Sequence, residues 1–181
     1  METTAEDILH FWFRELTPKQ WFAQDSELDQ QIIKRFTTAL ELASKDSLIK
    51  WRISAKSRLA EVILLDQFSR NIYRDTPKAF AQDELALRCA QEVIELGLDK
   101  ELTNIERSFL YMPFMHSESL QVHQVAVKLF SLPGLEDNYN FELKHKDIID
   151  RFGRYPHRNQ VLGRNSTEEE IEFLKGPGSS F

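Results

Sequence analysis

Apolar residues recur at three- and four-residue steps in several separate stretches of the chain, and no stretch alternates strictly between apolar and polar. That periodicity predicts helices and no sheet. Thr3 or Thr4, followed by Glu6 and Asp7, starts a helix carrying Ile8, Leu9, Phe11, Trp12 and Phe13, with Pro18 just beyond it. Phe11-Trp-Phe13 reads as core packing, because only Arg14 supplies the basic interleaving that a base-stacking platform needs. Ser26-Glu-Leu-Asp29 opens a second helix, where Leu28, Ile32, Ile33, Phe36, Leu40 and Ala43 form one stripe. The run from Arg58 to Arg74 begins with apolar residues on nearly every side, the pattern of a helix in the middle of a fold. It ends in Asp66, Gln67, Arg70, Asn71 and Arg74, at spacings that set polar groups along one edge and allow a local Asp66–Arg70 pair.

Thr76-Pro77 supplies an N-cap and a proline at the first helical position, and Asp83 is a second cap partway along. The pattern runs on through Leu85, Cys89 and Val93 to Gly97, a natural residue beyond a helix end. Thr103-Asn-Ile-Glu106 is a capping box before Phe109, Leu110 and Tyr111, and Pro113 should stop or kink that helix. Ser117 is the expected N-cap of a helix carrying Leu120, Val125, Leu129 and Phe130, and Pro133-Gly134 is a break. A helix from about Tyr139 places Phe141, His145, Ile148, Ile149 and Phe152 toward the core and ends at Gly153. Ser166 to Glu170 caps a last helix through Ile171, Phe173 and Leu174. The expected fold is therefore all-α: about seven to eight packed antiparallel helices joined by short loops, forming one domain over 1–181. A basic loop occupies 151–164 and a short tail 176–181. No internal repeat at a fixed period stands out.

Charge and composition narrow the classes. With 23 Lys and Arg against 29 Asp and Glu, the net charge is −6, so no nucleic-acid partner is expected. Cys89 is the only cysteine, which forbids an internal disulfide; its setting is that of a small core residue. The acidic N-terminal residues lack a basic region before an apolar run, and no window approaches a membrane span. No membrane association is expected, and the expected compartment is the cytoplasm.

Against this acidic background, Arg151-Phe-Gly-Arg-Tyr-Pro-His-Arg-Asn-Gln-Val-Leu-Gly-Arg164 contains four arginines and no acid. Two readings are open. In one, the polar segments 66–74, 116–118 and 151–164 build a pocket for a small anionic ligand, since arginine binds carboxylate and phosphate in bidentate fashion. Its ligand-binding residues would be Asp66, Arg70, Asn71, Arg154, Arg158, Asn159 and Arg164, with His116, Glu118 and His157 as catalytic candidates able to transfer protons. In the other, the arginines pair with the protein's own carboxylates and with carbonyls at helix ends, which are costly to leave unpaired. His10 and His123 read as ordinary helix residues. His116 and His123 are seven apart, but a cap at Ser117 would break a shared face; with no His-Glu-x-x-His or Cys-x-x-Cys run, no metal is expected. Gly-x-x-x-x-Gly-Lys-Ser/Thr, Gly-x-Gly-x-x-Gly and Gly-x-Ser-x-Gly are all missing from the sequence, so no cofactor is expected.

Phe11-Trp-Phe13, Leu64-Leu-Asp-Gln-Phe-Ser-Arg-Asn71, Met115-His-Ser-Glu118, Arg151 through Asn159, Leu162 through Glu170 and the closing Ser-Ser-Phe181 together resemble the bacterial family called domain of unknown function 924. The resemblance runs over essentially the whole chain. Ser69 departs from it, because the family usually has proline between that phenylalanine and arginine. The resemblance implies a helical fold of the tetratricopeptide-like superfamily, and fold analogy suggests peptide or protein binding. It implies no activity, catalytic residue or cofactor. Charge complementarity suggests that Phe181 and its carboxylate tuck against the basic loop.

Overall fold

A computed structural model describes residues 3–179, and every regular element among them is helical. In chain order these are α1 (5–15), α2 (Ser26–Ala43), α3 (55–72), α4 (Asp83–Glu95), α5 (Asn104–Met115), α6 (Leu120–Phe130), α7 (Glu136–Phe152) and α8 (Glu168–Leu174), with short 3-10 turns between several of them. The expected all-α class holds. The chain divides into two compact units, the first comprising residues up to 74 with 78–113, the second 75–77 with 114 onward. The place expected for Phe181 lies outside the described residues.

In the first unit, α1, α2 and α4 all pack against α3. The sequence accounts for this, because α3 is apolar on almost every side and every residue from Leu59 to Ser69 is buried. Ser54 caps its start by accepting the Ser57 N–H. Both α1 and α3 contain a π turn, Phe11–Glu15 and Leu64–Phe68. Each π turn adds a residue to the helical turn and re-aims the side chains beyond it. The rings they carry meet: Phe11 and Phe68 lie 5.9 Å apart, Trp12 and Phe68 5.5 Å, and Phe36 of α2 lies 5.0 Å from both Phe11 and Phe68. Burying each such ring contributes ~1.5–3 kcal/mol, with more from ring geometry. Glu61 and Asp66 are buried carboxylates on α3; Arg52 answers Glu61 with Nε–Oε2 at 3.0 Å and Nη2–Oε1 at 2.7 Å.

The second unit is built on α6 and α7, which pack together across the short connection 131–135. Ile148 and Ile149 of α7 form a core with Tyr155, and Phe152 and Phe173 pack on it half-buried. Gly153, at φ 68°, takes the left-handed conformation that ends α7 and turns the chain into the basic loop.

Several boundaries differ from expectation. Asp25, not Ser26, caps α2, its Oδ1 accepting the Glu27 and Leu28 N–H groups. Residues Pro77–Phe80 form only a 3-10 turn, and the α-helix begins at Asp83. Ser117 does not cap α6; its hydroxyl accepts the Ser119 N–H, and the helix starts at Leu120. Pro113 sits within α5, which ends at Met115. The start of α7 is Glu136, whose side chain accepts the Gly134 N–H, rather than Tyr139. Phe141 shares the α7 stripe with Ile148 yet is 51% exposed, because the second unit's core gathers at the other end of that helix. The capping boxes Thr4–Asp7 and Thr103–Glu106 form reciprocally, as predicted. So does that of α8, from Thr167 to Glu170.

The departure at Ser69 is now intelligible, since α3 continues through it to Ile72. Its hydroxyl is fully buried and makes no hydrogen bond among the described residues. Removing a buried polar group that lacks a partner should stabilise, so Ser69→Ala is expected to raise stability by ~1 kcal/mol. Phe68→Ala should lower it by ~3–5 kcal/mol. Urea denaturation of the two variants checks both signs, and a destabilised Ser69→Ala would mean that the hydroxyl is bonded.

Candidate functional site

The predicted site residues fall into both units. Asp66, Arg70 and Asn71 belong to the first. Asp66 is fully buried within the α3 π turn, where Gln67 Nε2 donates to its Oδ2 at 2.6 Å. Arg70 Nη1 lies 3.2 Å from Asp66 Oδ1 and donates to the Asp66 carbonyl at 2.6 Å, so the local pair expected from the four-residue spacing is present. The same guanidinium reaches Asp83, with Nη1–Oδ1 at 3.0 Å. Asn71 and Arg74 both turn to Asp29 of α2: Asn71 Nδ2–Oδ1 is 2.8 Å, Arg74 Nε–Oδ2 2.6 Å and Arg74 Nη2–Oδ1 2.8 Å. Burial pushes the Asp29 carboxyl up, but Arg74 and Asn71 outweigh it and leave it below the ordinary range.

His116, Glu118, Arg154, His157, Arg158, Asn159 and Arg164 all lie in the second unit. Arg164 grips Glu118 in bidentate fashion, at 2.7 and 2.9 Å, while its Nε donates to Asn159 Oδ1 at 2.9 Å and its Nη2 to the Tyr155 carbonyl at 3.0 Å. Glu118 also accepts the Tyr155 N–H at 2.7 Å. Burial raises Glu118, and Arg164 with that N–H more than reverses it, so its pKa is lowered. Arg154 holds Glu170 the same way, at 2.6 and 2.8 Å, and donates to the Asn165 carbonyl at 2.9 Å. Asn159 links the two pairs through its Nδ2, which lies 3.0 Å from Ser166 Oγ and 3.3 Å from Glu170 Oε2. Arg158, buried, donates to the His116 carbonyl at 3.0 Å and lies over the Tyr155 ring at 4.8 Å. Arg151 pairs at the surface with Glu169, which is worth little.

Tyr155 also gathers histidines. The ring centroids of His123, His145 and His157 lie 6.3, 5.8 and 5.5 Å from its own. Its hydroxyl donates to the Met115 carbonyl at 2.5 Å. His123, read from the sequence as an ordinary helix residue, is fully buried; Nε2 lies 2.8 Å from the Ser117 carbonyl and Nδ1 2.7 Å from Glu142 Oε1. A carbonyl only accepts, so Nε2 carries a hydrogen, and one further proton must sit between Nδ1 and Oε1. The pair is thus either imidazolium with carboxylate or imidazole with carboxylic acid. Burial pushes the Glu142 carboxyl up, with His123 opposing it, and its Oε2 makes no hydrogen bond among the described residues. The one signal for this pair in the sequence is a titratable residue set among the apolar positions of each helix, which demands a buried partner without naming it. By contrast, His10 is exposed and pairs with Glu15.

Chemically, the basic loop's arginines serve as partners for acids and carbonyls of their own unit. Among the described residues, no group of three or more His, Cys, Asp or Glu is arranged to hold a metal. The Cys89 thiol is buried and pushed up to about 12 by that burial, which leaves it inert. No helix among the described residues is long and apolar enough to cross a membrane.

The model of the family described as "Bacterial protein of unknown function (DUF924)" matches residues 8–178. The chain is also similar to the solved structure of a protein of unknown function from Agrobacterium tumefaciens, at 40% identity and a TM-score of 0.89, covering 95% of this chain and 97% of that one. Comparison with curated proteins gives no significant match.

If the 151–164 network braces the second unit, Arg164→Ala strands Glu118 and the Tyr155 carbonyl, and should cost ~2–3 kcal/mol in chemical denaturation. A double-mutant cycle with Glu118→Ala should show clear coupling. The Arg154 guanidinium, foremost, holds the Glu170 carboxyl at about 2, against an ordinary 4.5. A depressed folded pKa gives stability that is present above 4.5 and lost as pH falls toward 2. Glu170→Gln should therefore destabilise at pH 7, and that difference should shrink between pH 4.5 and pH 2.5.

Proposed function

We propose that this chain, which belongs to the DUF924 family of bacterial proteins, acts in the cytoplasm as a peptide- or protein-binding module of tetratricopeptide-like type. The observation that carries this reading is the internal use of its arginines. An anion pocket requires donors aimed at a space for ligand, whereas Arg70, Arg74, Arg154 and Arg164 are each bonded to carboxylates of their own unit. The packing of α1, α2 and α4 around α3 and of α6 on α7 supports the helical-module part of the reading. Apolar side chains exposed on the first unit, among them Phe22 at 68% and Ile53 at 86%, supply surface of the kind such modules use.

A second reading, a small-anion site with His116, Glu118 and His157 as its proton-transfer groups, is favoured by the gathering of histidines and Arg158 around Tyr155. One pair of experiments separates the two. Thermal-shift screening against phosphates, nucleotides, carboxylates and sugar acids is expected to give no selective shift, while Arg158→Ala lowers the Tm. Peptides selected from a random display library on the purified protein are expected to bind it saturably. A ligand at a hundred times its Kd would stabilise by ~2.7 kcal/mol. A selective shift of that kind, lost in Arg158→Ala, together with no enriched peptide, would overturn the module in favour of the anion site.

A further inference from the structure

His123 and Glu142 are both fully buried, and together they connect three parts of the second unit: α6, α7 and the segment just before α6. His123 Nδ1 lies 2.7 Å from Glu142 Oε1, and its Nε2 lies 2.8 Å from the Ser117 carbonyl. The Tyr155 hydroxyl, which gives its hydrogen to the Met115 carbonyl, lies 3.2 Å from the same Nε2. We infer that this pair is a proton-dependent pin, fastening the 116–118 segment and α6 to α7 while it holds one shared proton and letting go when that proton is lost at rising pH.

Counting hydrogens gives the dependence. A neutral imidazole carries one ring hydrogen, and this ring faces an acceptor on each side. With the hydrogen on Nε2, the Nδ1 lone pair confronts a carboxylate oxygen; with it on Nδ1, the Nε2 lone pair confronts a carbonyl oxygen. Either arrangement leaves two acceptors facing each other in the interior, where such a mismatch costs most. Only one further proton satisfies both contacts, and it does so whether it sits nearer Nδ1 or nearer Oε1. Glu142 Oε2 makes no hydrogen bond among the described residues, so no second donor shares the carboxylate's charge once that proton leaves.

Around the pair, α7 contributes His145 and Lys146, the latter bonded to Asp150. The segment before α6 contributes His116 and Glu118, and Glu118 is committed to Arg164. The loop contributes Tyr155, His157 and Arg158. Burial pushes the Glu142 carboxyl up, with His123 and Lys146 opposing, the direction expected of a pair that keeps its proton. Once opened, the pair gives up that proton as a free imidazole does, near 6.5. Closed, it keeps the proton to higher pH, so the pin's contribution is fully present just below 6.5 and is lost as pH rises. His145, pushed down by burial, takes a proton more readily when exposed, and acts in the opposite sense.

Hydrogen exchange of the α6 amides, corrected for intrinsic rates, reads the pin in the full chain when the natural protein is compared with Glu142→Gln. The glutamine amide can donate to Nδ1 while Nε2–H stays on the Ser117 carbonyl, so both contacts survive without the further proton. The two proteins then differ by one bound proton when closed and by none when opened, and the effect of His145 is common to both. The opening constant of the natural chain relative to Glu142→Gln should rise roughly 100-fold from pH 6 to pH 8. A rise of about tenfold or more supports the pin; a smaller rise, no change or a fall overturns it. Should Glu142→Gln fail to fold, proton NMR of the natural chain at pH 7.5 decides. Two hydrogens on the pair, the His123 Nε2–H and the one shared with Glu142, support the pin, and a ring with a single hydrogen overturns it.

Discussion

A carboxylate taken out of water must find a cation or several donors, and that constraint shapes both units. Helix packing buries Asp29, Glu61, Glu142 and Glu170 in this chain. The free-energy cost of each as an isolated ion far exceeds what neighbouring apolar contacts contribute. Each is met instead by a specific partner: Arg74 with Asn71, Arg52, His123 and Arg154. The geometry is bidentate for Arg52, Arg74 and Arg154, the planar fork that lysine cannot offer.

The basic loop follows from the same constraint. Residues 153–164 have little regular secondary structure beyond the short 3-10 turn Pro156–Arg158, so their backbone groups need partners from side chains. Arg164 bonds Glu118 and the Tyr155 carbonyl, while Arg154 bonds Glu170 and the Asn165 carbonyl. A loop with three arginines and no acid, entered from Arg151 at the end of α7, is therefore complementary to acids placed on the elements around it. Its apparent excess of positive charge is local in sequence and largely compensated in space.

Much of this was legible from the residues alone, and for identifiable reasons. The all-round apolar run of α3 could only be a buried helix, and the Thr4–Asp7 and Thr103–Glu106 boxes fix helix starts through bonds only three residues long. The Asp66–Arg70 pair was legible for the same reason, being one helical turn apart. What local spacing could not supply was pairing across helices. Glu118 with Arg164, His123 with Glu142 and Asp29 with Arg74 are separated by 46, 19 and 45 residues. The π turns are similarly hidden, because no single residue type marks them. The Ser117 cap failed through competition: the serine hydroxyl bonds a nearer N–H in a turn, a common alternative for that side chain.

The histidines stand apart from this pattern, and the difference is chemical. An arginine stays charged at any physiological pH, so an Arg–carboxylate pair fixes a contact once and permanently. An imidazole fixes a contact only in one protonation state. The second unit uses arginine where the loop meets Glu118 and Glu170, and histidine where the loop's Tyr155 meets α7. A fold needing only permanence at that seam could place phenylalanine or leucine at 145, with no depressed titration and no donor to satisfy. Placing His145 there, with its Nδ1–H given to the Phe141 carbonyl and beside a second buried histidine that already holds a proton with Glu142, sets imidazoles where apolar rings would pack without polar partners.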